Sequence, residues 1–154
     1  MITKIKRIFL SRTVRSTLAD GKVTPGSPLE SRVEEAISMA VDVVSSRLGD
    51  VHYIVDACML KCLECYPYTP KVPMKIVSYW RLSSDCSHLR YVESLLGAYA
   101  TYIRHQFAPL KTKFSIPESE LNAYIRKKAP ECYINKHPYI DEEMKEWQTN
   151  LWLQ

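Results

Sequence analysis

Thiols and imidazoles are the side chains of this sequence with the widest chemical range. Cys58, Cys62 and Cys65 follow one another at Cys-x3-Cys-x2-Cys spacing, with His52 just upstream. Structural zinc takes four such ligands in a tetrahedron, which makes His52, Cys58, Cys62 and Cys65 the candidate metal set, with Cys86, His88, Cys132 and His137 as substitutes. Spacing argues against it. On one helix, positions i, i+4 and i+7 span about 10 Å, and zinc–sulfur bonds of about 2.3 Å do not bridge that length. The surrounding stretch is apolar, where cysteine acts as a small buried hydrophobe. No metal and no cofactor are therefore expected. Nucleophilic catalysis needs a nucleophile, a base and an orienting group brought together. The sequence holds no Gly-x-Ser-x-Gly, no phosphate-binding glycine loop and no His-Glu-x-x-His. Glu34-Glu35 reads as a solvated face and Asp141-Glu142-Glu143 as a helix N-terminus.

The cysteine spacing resembles the cluster-binding motif of radical S-adenosylmethionine enzymes. That resemblance implies three thiolates on a four-iron cluster and a βα barrel around it. It covers eight residues, has Glu64 where that family often has an aromatic residue, and lacks the family's glycine-rich segment. Within the same stretch, Leu60-Lys61-Cys62-Leu63-Glu64 resembles the Leu-x-Cys-x-Glu segment that docks, extended, on retinoblastoma-type pocket proteins. Residues 54–80 and 93–103 resemble parts of the lambdoid phage antitermination protein Q family, through Asp56, Cys58, Pro67, Tyr79 and Leu95-Leu96. This last resemblance implies a DNA-binding regulator, although the second helix of the DNA-reading unit is shortened here.

Charge is unevenly placed. Residues 1–22 hold Lys4, Lys6, Arg7, Arg12, Arg15 and Lys22 against the single acid Asp20, so this basic leader carries +5 of a net +4. Such a segment suits phosphates, anionic lipid or an acidic protein face. Its Arg-rich, acid-poor start resembles a mitochondrial presequence. Ile2, Ile5, Phe9 and Val14 give it a loose helical stripe, while its β-branched residues also suit a strand. Arg126, Lys127 and Lys128 form a second basic cluster. No stretch is long and apolar enough for a transmembrane helix. The cysteine count of five is odd, and 154 residues fold without staples, which predicts free thiols in a reducing, intracellular compartment.

The elements that would position these residues are helical. With 46% hydrophobic and 25% charged residues the chain is globular rather than disordered, and only four glycines interrupt it. Ser27-Pro28-Leu29-Glu30 reads as a capping box opening a helix that ends at Gly49, with Leu29, Val33, Ala36, Ile37, Ala40, Val41, Val44 and Leu48 on one face. Asp50 opens a second, to about Tyr66. The proline-bearing linker Tyr66–Pro73 follows, then Met74–Leu82, a run fit for strand or helix. Leu89, Val92, Leu96, Tyr99, Ile103 and Phe107 trace a seam on a helix that Pro109 should end. A shorter helix spans Pro117 to Ala129 and stops at Pro130; residues 130–139 are irregular; a last helix opens at Asp141. The expected fold is mainly α, a compact bundle of five or six helices over 27–154, with a small strand pairing between the leader and residues 74–79 as the alternative.

Ten tyrosines and three tryptophans complete the picture. Both residue types join a large contact area to a polar tip, and both are enriched at interfaces. Tyr66, Tyr68, Tyr133, Tyr139, Trp147 and Trp152 fall in linkers or near the C-terminus and are the candidate partner-binding residues. Lys4, Lys6, Arg7, Arg12, Arg15, Arg126, Lys127 and Lys128 are the candidates for phosphate or acidic-surface contact. The expectation is a non-catalytic accessory or inhibitory protein, of viral or phage type, that binds a protein partner through this basic and tyrosine-rich surface, or a second copy of itself through the Leu89–Ile103 seam. A nucleic-acid-binding regulator is the first alternative. A metal- or cluster-dependent enzyme is the second.

Overall fold

A computed structural model describes residues 23–47, 53–74, 77–78, 86–140 and 142. Four helices make up the described fold: α1 (Pro28–Arg47), α2 (Tyr53–Glu64), α3 (Cys86–Phe114) and α4 (Glu118–Lys136). No strand occurs among the described residues. Met74, Val77 and Ser78 are helical rather than extended, which corrects the strand alternative over residues 74–79. The basic leader, Gly49, Asp50, His52 and the segment after Glu142 lie outside the described residues, as does most of the expected last helix.

The start of α1 follows its sequence signals. Thr24-Pro25-Gly26-Ser27 is a tight turn, closed by Ser27 N–H on the Thr24 carbonyl at 3.1 Å, with Gly26 at φ 74° where a side chain would be strained. Ser27 Oγ then accepts the Glu30 N–H at 3.1 Å, and the Glu30 carboxylate reaches back to the Gly26 N–H. The capping box thus closes one residue earlier than its usual form. Leu29, Val33, Ala36, Ile37, Ala40, Val41 and Val44 are all buried, as their spacing predicts.

Helix α2 is enclosed on most sides. Ala57, Cys58, Met59, Leu60, Cys62 and Leu63 are buried, and its polar side is narrowed to Lys61 and Glu64, which pair at 3.3 Å. Helices α1 and α2 each pack on both α3 and α4. Contacts fix the directions: Asp56 meets Tyr133 and Tyr66 meets Arg126, so α4 runs antiparallel to α2. Glu34 pairs with Lys128 and Asp42 with Lys136, so α4 runs parallel to α1. Buried residues of all four helices form one hydrophobic cluster.

Two prolines that should have ended helices do not. Pro109 lies inside α3, and Pro130 inside α4. A mid-helix proline removes one hydrogen bond and costs about 3 kcal/mol. Burial beyond each offsets that cost. Leu110, Phe114 and Ile116 enter the core after Pro109, and Tyr133 and Ile140 after Pro130. At about 1.5–3 kcal/mol per large apolar side chain buried, both continuations are favoured. The expected irregular segment 130–139 is therefore helix as far as Lys136. The Leu89–Ile103 seam is buried inside this same molecule, so it is not a face for a second copy.

No helix among the described residues is long and apolar enough to cross a membrane. Because Pro109 is exposed and the surrounding helix is held by other residues, Pro109→Ala should stabilise the fold by about 2 kcal/mol in urea denaturation. An unchanged or lowered midpoint would place a real helix end at Pro109.

Candidate docking surface

The tyrosines expected at one surface divide into two groups. Tyr66 and Tyr133 are 2% and 4% exposed and belong to the core, which corrects their placement on a partner-facing surface. Tyr66 meets Phe107 edge-on, with ring centroids 5.3 Å apart. Tyr133 donates its phenol to Asp56 Oδ1 at 2.6 Å. Burial and that carboxylate together push the Tyr133 phenol well above its ordinary range. Tyr139, 41% exposed, also donates to Asp56 Oδ1, at 3.5 Å, and its phenol is pushed up to about 12 by burial and the same charge. His137 stacks on Tyr133 with ring centroids 4.1 Å apart and meets Tyr139 edge-on at 5.5 Å. Its Nδ1 lies 2.7 Å from the Tyr133 carbonyl, which ties the end of α4. Asp56 itself is 2% exposed. No residue pattern marks a buried acid at this position. The group is an interior latch between α2 and the end of α4. Trp147 and Trp152 lie outside the described residues.

Tyr68 is different: it is 71% exposed, on a linker whose backbone is held from behind. Arg126 of α4 donates Nη1–H to the Tyr66 carbonyl at 2.9 Å. Arg104 of α3 reaches the Pro67 carbonyl and Thr69 Oγ1, both at 3.3 Å, and is itself braced on Thr101 Oγ1 at 3.2 Å. The Tyr68 N–H closes on the Cys65 carbonyl at 2.9 Å, and Val77 N–H on the Pro73 carbonyl at 3.0 Å. Between these ties the chain has a three-residue period. Pro67, Pro70 and Pro73 are half-buried or buried, while Tyr68, Lys71 and Met74 are exposed, Met74 to 73%. A proline at every third position is the sequence feature that tracks this pattern; residues 69–73 are neither helix nor turn, Pro67 lies in a turn and Met74 is helical. Beside the exposed edge is a groove of about 400 Å³ lined by Pro70, Val72, Val77 and Leu96, with Lys71 and Glu93 also on its walls.

The expected basic cluster is taken apart by the fold. Arg126 is spent on the Tyr66 carbonyl, and Lys128 on Glu34 at 3.1 Å. That pairing, with the Tyr124 phenol at 2.9 Å, holds the Glu34 carboxyl below its ordinary range and raises Lys128. Of the three, Lys127 alone is fully exposed. Lys4, Lys6, Arg7, Arg12 and Arg15 lie outside the described residues.

Among the described residues no three His, Cys, Asp or Glu side chains are grouped to hold a metal ion. Cys58 and Cys62 are free, buried thiols, and Cys62 Sγ lies 3.6 Å from the Leu96 carbonyl. Burial pushes Cys58 up to about 12 and Cys62 higher still. His52, the fourth candidate ligand, lies outside the described residues. Leu60 and Cys62 are buried on a helix, so the Leu-x-Cys-x-Glu segment is not presented extended.

Comparison with known proteins adds nothing to this geometry: no family model, curated protein or solved structure matches the chain.

Alkylation reads these environments directly. At pH 8 a thiol with a pKa near 12 is ionised to about one part in ten thousand, so iodoacetamide should label the half-buried Cys132 well before Cys58 or Cys62. Peptide mass spectrometry of briefly labelled, folded protein makes the comparison. Equal labelling of Cys58 and Cys132 would contradict the buried setting of α2.

Proposed function

We propose that the protein acts by binding another protein, and that the edge Tyr68–Lys71–Met74 is its docking surface. One observation carries this reading. Two large apolar side chains, each more than 70% exposed, flank a lysine on a linker fixed by two arginines. Exposed tyrosine and methionine on a held backbone lose little freedom when they are covered, which is the setting in which a few residues dominate binding. From Tyr68 to Met74 is six residue steps, which span at most about 21 Å, so the edge engages a short stretch of partner. Its chemistry selects a segment with a carboxylate for Lys71, flanked by aromatic or aliphatic side chains for Tyr68, Met74 and the groove beside them.

The reading keeps the expected role of Tyr68 and moves the surface away from Tyr66 and Tyr133. The partner-facing contributions expected of Trp147, Trp152 and the basic leader belong to the same proposal as secondary contacts. A nucleic-acid role loses its second basic cluster, because Arg126 and Lys128 are occupied within the fold.

Panning a displayed random-peptide library against the full chain supplies the test. Enriched peptides should carry an acid between aromatic or aliphatic residues. Tyr68→Ala and Met74→Ala should each weaken their binding about thirtyfold, near 2 kcal/mol for an interface anchor, and Lys71→Glu should weaken it further. All three side chains are exposed, so unfolding midpoints should stay unchanged. Enriched peptides indifferent to all three changes, or no enriched family, would overturn the proposal.

A further inference from the structure

The same linker carries a second chemical feature. Three Ser/Thr-Pro steps occur in the sequence: Thr24-Pro25, Ser27-Pro28 and Thr69-Pro70. A kinase cleft takes its acceptor hydroxyl from an extended, accessible segment. Thr24 and Ser27 are the two ends of one tight turn, and Ser27 Oγ is committed to the Glu30 N–H with the Glu30 carboxylate beside it. Thr69 is exposed, and residues 69–73 form neither helix nor turn. Lys71 follows two residues later. Among the described residues, Thr69 is the one of the three hydroxyls with a guanidinium in reach: Arg104 Nη1 lies 3.3 Å from its Oγ1.

We infer that Thr69 is a phosphorylation site for a proline-directed serine/threonine kinase, with Arg104 as the receptor of the phosphate, and that this modification switches the docking edge. In the transfer, Thr69 Oγ1 bonds to the γ-phosphorus of ATP. The bond to the bridging oxygen breaks, ADP leaves, and the hydroxyl proton passes to the kinase's catalytic carboxylate. The product carries a charge of about −1.5 to −2 and three acceptor oxygens next to a braced guanidinium. Charge-assisted bonds between them tighten the linker. The same charge sits two residues from Lys71, where it repels the carboxylate that Lys71 would take from a partner. The regulatory half of this inference rests on the docking reading; the modification itself does not.

The experiment treats the full-length chain with a purified proline-directed kinase and ATP, maps phosphate by mass spectrometry, and follows Tm. Phosphate should enter Thr69 at least tenfold faster than Thr24 or Ser27, Thr69→Val should remove it, and Thr69→Ser should restore it. The Tm of the phosphorylated protein should rise by about 2–4 °C. Arg104→Gln should still accept phosphate and show no rise against its own unphosphorylated form. Preferential labelling of Thr24 or Ser27, or none at Thr69, overturns the site. A wild-type Tm that stays or falls on phosphorylation overturns Arg104 as receptor. Where a peptide ligand of the edge has been isolated, phosphorylation should weaken it at least tenfold, and phosphatase treatment should restore it. Undiminished binding to the phosphoprotein overturns the switch alone. Failure to isolate any peptide falls on the docking reading and leaves the phosphorylation result standing.

Discussion

A carboxylate sealed in an apolar interior needs a donor, and for Asp56 that donor comes from the far end of another helix. The Tyr133 phenol at 2.6 Å is its short bond, with Tyr139 as a longer second at 3.5 Å. Oδ2 meets no donor among the described residues, so the pairing at Oδ1 carries the whole compensation. This sets how far α4 extends and where it lies along α2. Tyr133 must reach Asp56, so α4 has to continue past Pro130. Arg126 stands two turns earlier on the same side of α4, which brings its guanidinium to the Tyr66 carbonyl. The bond to Asp56 and the tie to the linker thus come from one side of α4.

That linkage separates what is held from what is offered. Behind the linker, Tyr66 is fixed by Phe107, and the Tyr66 and Pro67 carbonyls by arginines of two different helices. The prolines turn inward, while Tyr68, Lys71 and Met74, each one residue after a proline, turn out. A loop left to itself would lose conformational freedom on meeting a partner; this one has already lost it during folding. Thr69, placed between the held and the offered sides, touches both: its hydroxyl lies on Arg104 and its neighbours line the groove.

Much of the helical frame was legible from residue patterns. The faces of α1 and α3 follow the 3.6-residue period closely, and Ser27-Pro28 marks a real start. What misled was proline. Local backbone chemistry disfavours Pro109 and Pro130 inside helices, and it carries no information on the burial of Phe114 or Tyr133 further along. Tyr66 and Tyr133 misled for a related reason: a tyrosine near a linker looks available until a buried partner takes it. Asp56 was hidden, because an isolated acid in an apolar run looks like a helix cap or a solvated position. The docking edge was visible in principle as proline at 67, 70 and 73, but only burial shows which of the three edges faces out.

The most direct measurement is a double-mutant cycle on the latch. Asp56→Asn, Tyr133→Phe and the pair would be compared by urea denaturation at pH 7. A buried, charge-assisted bond predicts single changes that each cost about 1.5–3 kcal/mol and a coupling above about 1 kcal/mol. The unfolding slope should stay constant. Coupling near zero, with both single variants as stable as the parent, would contradict the claim that Asp56 and Tyr133 hold α4 in place.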